Sequence, residues 1–519
     1  MSRPWILGLI TCLVMAIAPQ AQSGEYFTDP AQLSAEAQAL YFVAKGVVDD
    51  EIWDDATLKK GEQATADLIA LAPNFLPVYI QQARQLMVRG WIDYETEARN
   101  QEAAEIILEV IEKDPGYAKA HVLMASIYMN LWDYEKARQA LETASQIGTK
   151  DPWLQCNWSR HRNMQGYIAP AYEAARACLE LASDYPKAAA NAVYDIERLA
   201  RFLRTPQPHG DVTDFLFESY ANPLDRISIA RRIITKSMGY DGLLAYAFHI
   251  IARQRSETPD LPEADVQLAR IVLLQAGTGQ IGFFPSYRPS HADRAAQLLE
   301  PIKNIDSVKD QAYGMLFDIA LRNQGAAAAG RVLEQAEQEG QVARATLLRK
   351  RAELYFALGN YEISVLLLEE LGLKHDPLLN AAYTMVGRHD RVHEYYRKEI
   401  RRYPRRAVTL DNYATFLLLD VGDVEQAIFY GERAIAAASY PVARSNLSMA
   451  YMVRASKRYQ AGNLGAARAD YDRARALRPM PGFIAKYCGR YCDEIRSASV
   501  ALERLVPEIP KAEPERSAL

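Results

Sequence analysis

Between residues 277 and 291 the chain reads GTGQIGFFPSYRPSH, and Gly277, Gly279 and Gly282 spell the G-x-G-x-x-G of a dinucleotide-binding loop. Such a loop holds a pyrophosphate only where a strand precedes it and a helix opens at the third glycine, because the helix N-terminal amides and dipole bind the anion. Neither condition is met. The preceding ADVQLARIVLLQA has the composition of a helix, and Pro285 and Pro289 keep a helix from opening at Gly282. The stretch is therefore read as a long joint: its glycines end one helix, Ser290 caps the next, and Phe283, Phe284, Tyr287 and Arg288 either plug a core or meet a partner. His389 and His393 share one helical face at the spacing of metal ligands. The run lacks the glutamate of H-E-x-x-H and a third ligand, so both are read as structural. No G-x-S-x-G, P-loop or cysteine–histidine pairing is present, and no enzyme activity, cofactor or metal is expected.

The elements that hold these residues are helical. Ala and Arg are plentiful and no alternating β-branched runs occur, while 49% hydrophobic residues suffice for a large core. A formal net charge of −5 argues against a nucleic-acid binder. The first 23 residues, MSRPWILGLITCLVMAIAPQAQS, combine Arg3, an apolar run from Trp5 to Ala18 and a small-residue end before Gly24. That is the pattern of a secretory signal peptide, too short to span a bilayer. Thr11 before Cys12 argues against lipidation. The exported chain then carries four cysteines, Cys156, Cys178, Cys488 and Cys492, which an oxidising compartment pairs as two disulfides or leaves as thiols. Cys156 and Cys178 flank the turn near Gly166 symmetrically, as facing positions on an antiparallel helix pair. Cys488 and Cys492 can close only if Gly489 breaks the helix between them.

Internal repetition sets the architecture. In HVLMASIYMNLWDYEKARQALETASQIGTKDP, the residues His121, Met124, Ala125 and Tyr128 precede Ala137, Leu141 and Pro152 at fixed offsets. A small residue recurs at Ala103, Ala137, Ala174, Ala295, Ala329, Ser364, Ala427 and Ala467, with neighbouring gaps of 34, 34 and 35 residues at 103–137, 295–329 and 329–364. This resembles the tetratricopeptide repeat, a helix-turn-helix unit of about 34 residues. Trp132 stands where the family's turn usually has glycine, whereas LGNYEIS at 358–364 keeps it. A small side chain lets two helices approach, and pairs that cannot bury their apolar faces alone must stack. The resemblance implies an all-α, right-handed superhelical solenoid of about ten to twelve helix pairs. The expected organisation is a signal peptide at 1–23, a repeat array at 24–200, degenerate repeats or a hinge at 201–291, a second array at 292–505 and a disordered tail at 506–519. Ala230 and Ala264, again 34 apart, are the candidate small residues of the degenerate part.

Arrays of this family typically bind peptides or partner proteins in a groove lined by the first helix of each pair. On that resemblance Asn380, Asn412 and Asn446 occupy one groove-facing slot, where a row of amides would bind the backbone of an extended peptide. Arg401, Arg402, Arg405 and Arg406, with Arg397 and Lys398, form a basic cluster suited to an acidic peptide or an anionic polysaccharide, or a solvated helix end. Residues 24–117 carry 18 acidic and 7 basic side chains, a balance of 7 − 18 = −11. Trp53, Trp91, Trp153 and Trp158 are read as packing residues. The expectation is a non-catalytic interaction scaffold of the periplasm or secretory space, associated with the outer membrane or with envelope assembly and free of membrane spans once cleaved. The alternative is an exopolysaccharide factor with the FFPSYRP loop as its site.

Overall fold

The structure, a computed structural model, describes residues 26–49, 55–93, 95–206, 208–237, 241–275, 286–338, 342–372 and 376–504. The three glycines of the opening motif, Phe283, Phe284, Trp53, the signal segment and the tail lie outside these residues. Two compact units divide at residues 207 and 208.

The described residues of the first unit hold nine α-helices, α1 (Ala35–Asp49), α2 (Asp55–Leu71), α3 (Leu76–Asp93), α4 (Thr96–Lys113), α5 (Ala118–Asn130), α6 (Tyr134–Ile147), α7 (Pro152–Met164), α8 (Ile168–Leu181) and α9 (Pro186–Leu203). Each odd helix up to α7 packs on the even one after it, and α9 follows α8. Ser34 opens α1, its hydroxyl accepting from the amide of Ala37 at 3.3 Å. The second unit begins with His209–Ser219 and continues in pairs: 223–237 with 241–257, 262–275 with 289–299, 309–323 with 326–338, 344–357 with 361–370, 377–385 with 389–402, 407–416 with 424–437, and 441–460 with 464–476. Helix Cys492–Arg504 closes against Pro441–Gln460. The described residues thus form eleven helix pairs, and their β structure is a single bridge between Phe27 and Phe75.

The expected small residues explain the pairing. All eight, from Ala103 to Ala467, are at most 2% exposed, and Ser364 satisfies its hydroxyl on the carbonyl of Ala352 at 2.9 Å. The turns repeat as well. Asp133, Asp423 and Asn463 each cap a second helix by accepting the amide three residues on, at 3.1–3.2 Å. Pro152 and Pro186 occupy the first turn of α7 and α9, where the missing N–H costs nothing, so they start helices. Two expectations change. Ala230 and Ala264 lie on the first helices of their pairs, so they are not counterparts of Ala295, although 201–291 does contain the helix pair 223–257 and the first helix of the next. Before the helix at 289–299 the cap position is Arg288, not Ser290, and Pro289 opens the helix.

Trp132 takes φ 64°, the left-handed conformation that Gly166, Gly359, Gly387, Gly422 and Gly462 adopt at the matching turns. Its ring is 73% exposed and meets Tyr134 edge-on, so packing returns little of the backbone cost. Trp132→Gly should stabilise the first unit by about 0.5–1 kcal/mol, strain relief of about 1–2 kcal/mol being partly offset by glycine's unfolded-state entropy. Thermal denaturation reads this as a higher midpoint, and a lower one contradicts it.

Both cysteine pairs are disulfides, Cys156 to Cys178 across α7 and α8 and Cys488 to Cys492. The latter spans a break: Cys488 follows helix 483–487, Gly489 turns at φ 53°, and Cys492 opens the last helix. Closing a loop of 22 residues' separation restricts the unfolded chain by about 3 kcal/mol. The Cys156→Ser/Cys178→Ser variant should lose that much, measured as a lower denaturant midpoint of the first unit, and an unchanged midpoint would count against it.

Candidate functional site: a groove on the first helices of unit one

The first helices α1, α3, α5, α7 and α9 together line a cavity of about 420 Å³, within the size range of about 300–1,000 Å³ typical of ligand sites. Stacking produces it: one face of each first helix packs on its second helix, and the opposite face is left for the groove. Tyr117, Asp151 and Tyr185 sit at the N-terminal ends of α5, α7 and α9, and Lys119, Trp153 and Lys187 lie two residues further on. Both sets recur at intervals of 34 residues. The repeat thus places like-numbered positions of successive helices side by side.

Aromatic rings form much of the wall. Trp91, 40% exposed, and Trp153 line it with Tyr41, Tyr117 and Tyr185. Burial is the main cause holding all three tyrosine hydroxyls above their usual pKa, with Asp151 adding to it at Tyr117 and Tyr185. They stay protonated across physiological pH and serve as neutral donors.

The charges divide into engaged and open ones. Arg84 pairs with Asp49 at 2.5 Å and donates to Gln81 at 2.9 Å. Asp151 accepts the amide of Trp153 at 3.0 Å, and Lys187 donates to the carbonyl of Val48 at 2.7 Å, near the C-terminal end of α1. Asn157, buried, donates to the carbonyl of Val122 at 3.0 Å. Both groove carboxylates are therefore committed to internal contacts. Lys45 and Lys119 line the same cavity and have no carboxylate partner among the described residues. The groove is aromatic and cationic, although residues 24–117, which supply part of its wall, have a balance of −11.

The sites expected from sequence lie in the second unit. Asn380, Asn412 and Asn446 do not form one exposed row. Asn380 is 7% exposed and contacts Tyr396, Asn412 faces solvent, and Asn446 donates to Asp411 at 3.0 Å. Between the last two the chain widens to a π turn at Leu417–Val421, which adds one residue, so the spacing between matching slots becomes 35 and Asp411, not Asn412, meets Asn446. His393 hydrogen-bonds the Tyr413 hydroxyl at 2.9 Å and His389 stands edge-on to Phe416, so both imidazoles belong to an aromatic cluster. Tyr287 is held by the two hydrogen bonds of its backbone to Asn323 and covered by Arg322 at 4.7 Å, which makes it a packing residue. Arg401 and Arg405 are exposed, Arg406 pairs with Glu399 at 3.5 Å, and Arg402 stacks on Tyr403.

The groove was missed because its residues were read singly. Trp91 and Trp153 looked like packing, and the lysines carried no motif. The usable signal was the interval itself, since 119, 153 and 187 recur at the 34-residue spacing of Ala103 and Ala137.

Residues 96–155 match the tetratricopeptide repeat, the repeat class expected from the sequence. No curated protein sequence matches the chain. Among solved structures, human IFIT1, in a dimer with m7Gppp-AAAA, is 13% identical and covers 72% of this chain and 94% of its own, with a TM-score of 0.37. Yeast Tom70 is 13% identical over 90% and 95% at 0.33, and Cut9–Hcn1, an APC/C hetero-tetramer, 11% identical over 90% and 96% at 0.32. Likenesses this distant say nothing about what this chain binds.

Proposed function

We propose that the chain is a non-catalytic interaction scaffold whose first unit holds an extended, acidic segment of a partner protein in the groove. The observation that carries this is the pair of open ammonium groups, Lys45 and Lys119, in an aromatic-walled cavity whose own carboxylates are engaged. Aromatic walls bury apolar side chains with little loss of rotamer freedom, and the lysines neutralise acidic neighbours of those side chains. The tetratricopeptide match at 96–155 supports a protein partner. A photo-reactive residue in place of Ser126, on the groove wall, should cross-link a partner peptide in the full-length chain, and one in place of Gln139, on the solvent side of α6, should not. Equal cross-linking at both positions would reject the groove.

The proposed setting is the periplasm, at the outer membrane or in cell-envelope assembly. Two features support it, the signal-like first 23 residues and the two disulfides, which persist in oxidising compartments. Among the described residues no helix is long and apolar enough to cross a membrane. N-terminal sequencing of the mature chain should begin at Gly24, and a first residue of Met1 or Ser2 contradicts export by this signal.

A further inference from the structure

The cationic cluster at 397–406 continues beyond the sequence motif that revealed it. The second helices of three successive pairs in the second unit run in the same direction, so their C-terminal ends share one edge. The helix at 389–402 ends in Arg401 and Arg402, and Arg405 and Arg406 follow in the turn. From the helix at 424–437, Arg433 donates to the carbonyl of Pro404 at 3.4 Å, which fixes it beside that turn. The helix at 464–476 ends in Arg473 and Arg475, with Arg478 beyond. Tyr451 links the last two, its hydroxyl bonded to Glu432 and its ring 5.9 Å from the Arg473 guanidinium. First helices 407–416 and 441–460 touch directly, so neighbouring pairs step by about 10 Å.

Several of these cations lie over rings: Arg402 and Arg406 over Tyr403 at 5.1 and 5.5 Å, Arg433 over Phe429 at 5.5 Å, and Arg475 over Tyr471 at 5.9 Å. The nearby carboxylates are taken. Glu399 pairs with Arg406, Glu432 accepts from Tyr451, Asp470 is buried against Arg454 and Arg458, and Asp472 pairs with Arg468. Among the described residues Arg401, Arg405, Arg433, Arg475 and Arg478 have no carboxylate partner. Helix dipoles favour cations within the last turn, but Arg405 and Arg478 lie past the helix ends. Arg478 even adopts φ 49°, a left-handed conformation that favours glycine.

We propose that this edge is a second binding site, for a linear polysaccharide bearing carboxylate groups. Guanidinium groups spaced along a line match an anion that repeats along a line, and each can pair a carboxylate bidentately. An acidic peptide needs partners for its backbone or pockets for its side chains, and this edge supplies turns and guanidinium groups. Single-stranded nucleic acid needs open ring faces for its bases, and the rings here carry the chain's own arginines. A lipid surface calls for an inserted apolar face, and the large apolar side chains exposed here are Val408, beside Arg405 and Arg406, and Phe429, which Arg433 overlies at 5.5 Å.

The test is binding of the full-length mature chain to polygalacturonate, with poly-glutamate and vesicles of phosphatidylglycerol and phosphatidylcholine as competing probes. The Arg401→Gln/Arg405→Gln/Arg475→Gln/Arg478→Gln variant should bind polygalacturonate at least about tenfold more weakly and with a shallower salt dependence, with its circular dichroism and melting curve retained. The Lys45→Glu/Lys119→Glu variant should bind it as the wild type does, which separates this site from the groove. Unchanged affinity in the arginine variant overturns the proposal. So does binding of poly-glutamate by the Lys45→Glu/Lys119→Glu variant that equals or exceeds its binding of polygalacturonate, or partition onto vesicles without polygalacturonate binding.

Discussion

Lys350→Met should destabilise the second unit by about 2–4 kcal/mol at neutral pH and leave the first unit unaffected. Lys350 donates to Asp318 at 2.7 Å and to Glu353 at 2.9 Å, and Arg349 bridges Glu353 to Asp376. Removing the central ammonium leaves two poorly solvated carboxylates facing each other, while the methionine keeps the contact with the Phe317 ring. The loss should depend on pH. Burial already holds the Asp318 carboxyl above its usual range against the pull of Lys350. Without Lys350 it rises further, so the folded variant binds a proton that the unfolded chain, with a carboxyl pKa of about 3.9, releases. Where the folded state binds more protons, stability falls as pH rises through the folded pKa. The deficit is therefore largest above that pKa and shrinks as the solution is acidified toward the unfolded value. Denaturant titrations at several pH values check both the size and the sign, and a deficit that grows on acidification contradicts the assignment.

The second large effect concerns recognition. Lys45→Glu/Lys119→Glu reverses the two open cations of the groove while leaving the Arg84–Asp49 pair and the Asp151 cap in place. An acidic partner segment should lose about tenfold to a hundredfold in affinity, because each reversal replaces attraction with repulsion in a partly desolvated site. Lys119 is exposed and Lys45 half-buried, so the fold should tolerate both changes. Titration calorimetry with an acidic peptide reads the loss, and unchanged melting assigns it to the groove. An affinity within a factor of about two of the wild type would remove the lysines from the account.

Much of the fold was legible in the sequence because a repeat packs its helices around a small residue where they meet, and Ala103, Ala137, Ala174, Ala295, Ala329, Ser364, Ala427 and Ala467 supply it in eight of the eleven pairs. Two of the turns after first helices, at Trp132 and at 358–364, were legible from their own residues. What failed was counting across an irregularity. The π turn at 417–421 adds one residue, which no composition or interval near Asn412 announces, and it moved Asp411 into the slot given to an asparagine. Ala230 and Ala264 failed differently, since an interval of 34 identifies a repeat without saying on which helix its member lies. The groove escaped because a binding surface in a solenoid is assembled from one or two residues per repeat. The arginines of the second unit were visible only where four of them crowd into 401–406, not where single ones complete the edge.

The most direct test of the groove is selection from a random peptide library against the full-length mature chain, followed by measurement of the enriched peptides on the wild type and on Lys45→Glu/Lys119→Glu. The account predicts peptides that combine Asp or Glu with apolar or aromatic residues and bind the wild type at least about tenfold more tightly than the variant. Enrichment of basic peptides, or of peptides that bind both chains equally, would contradict it.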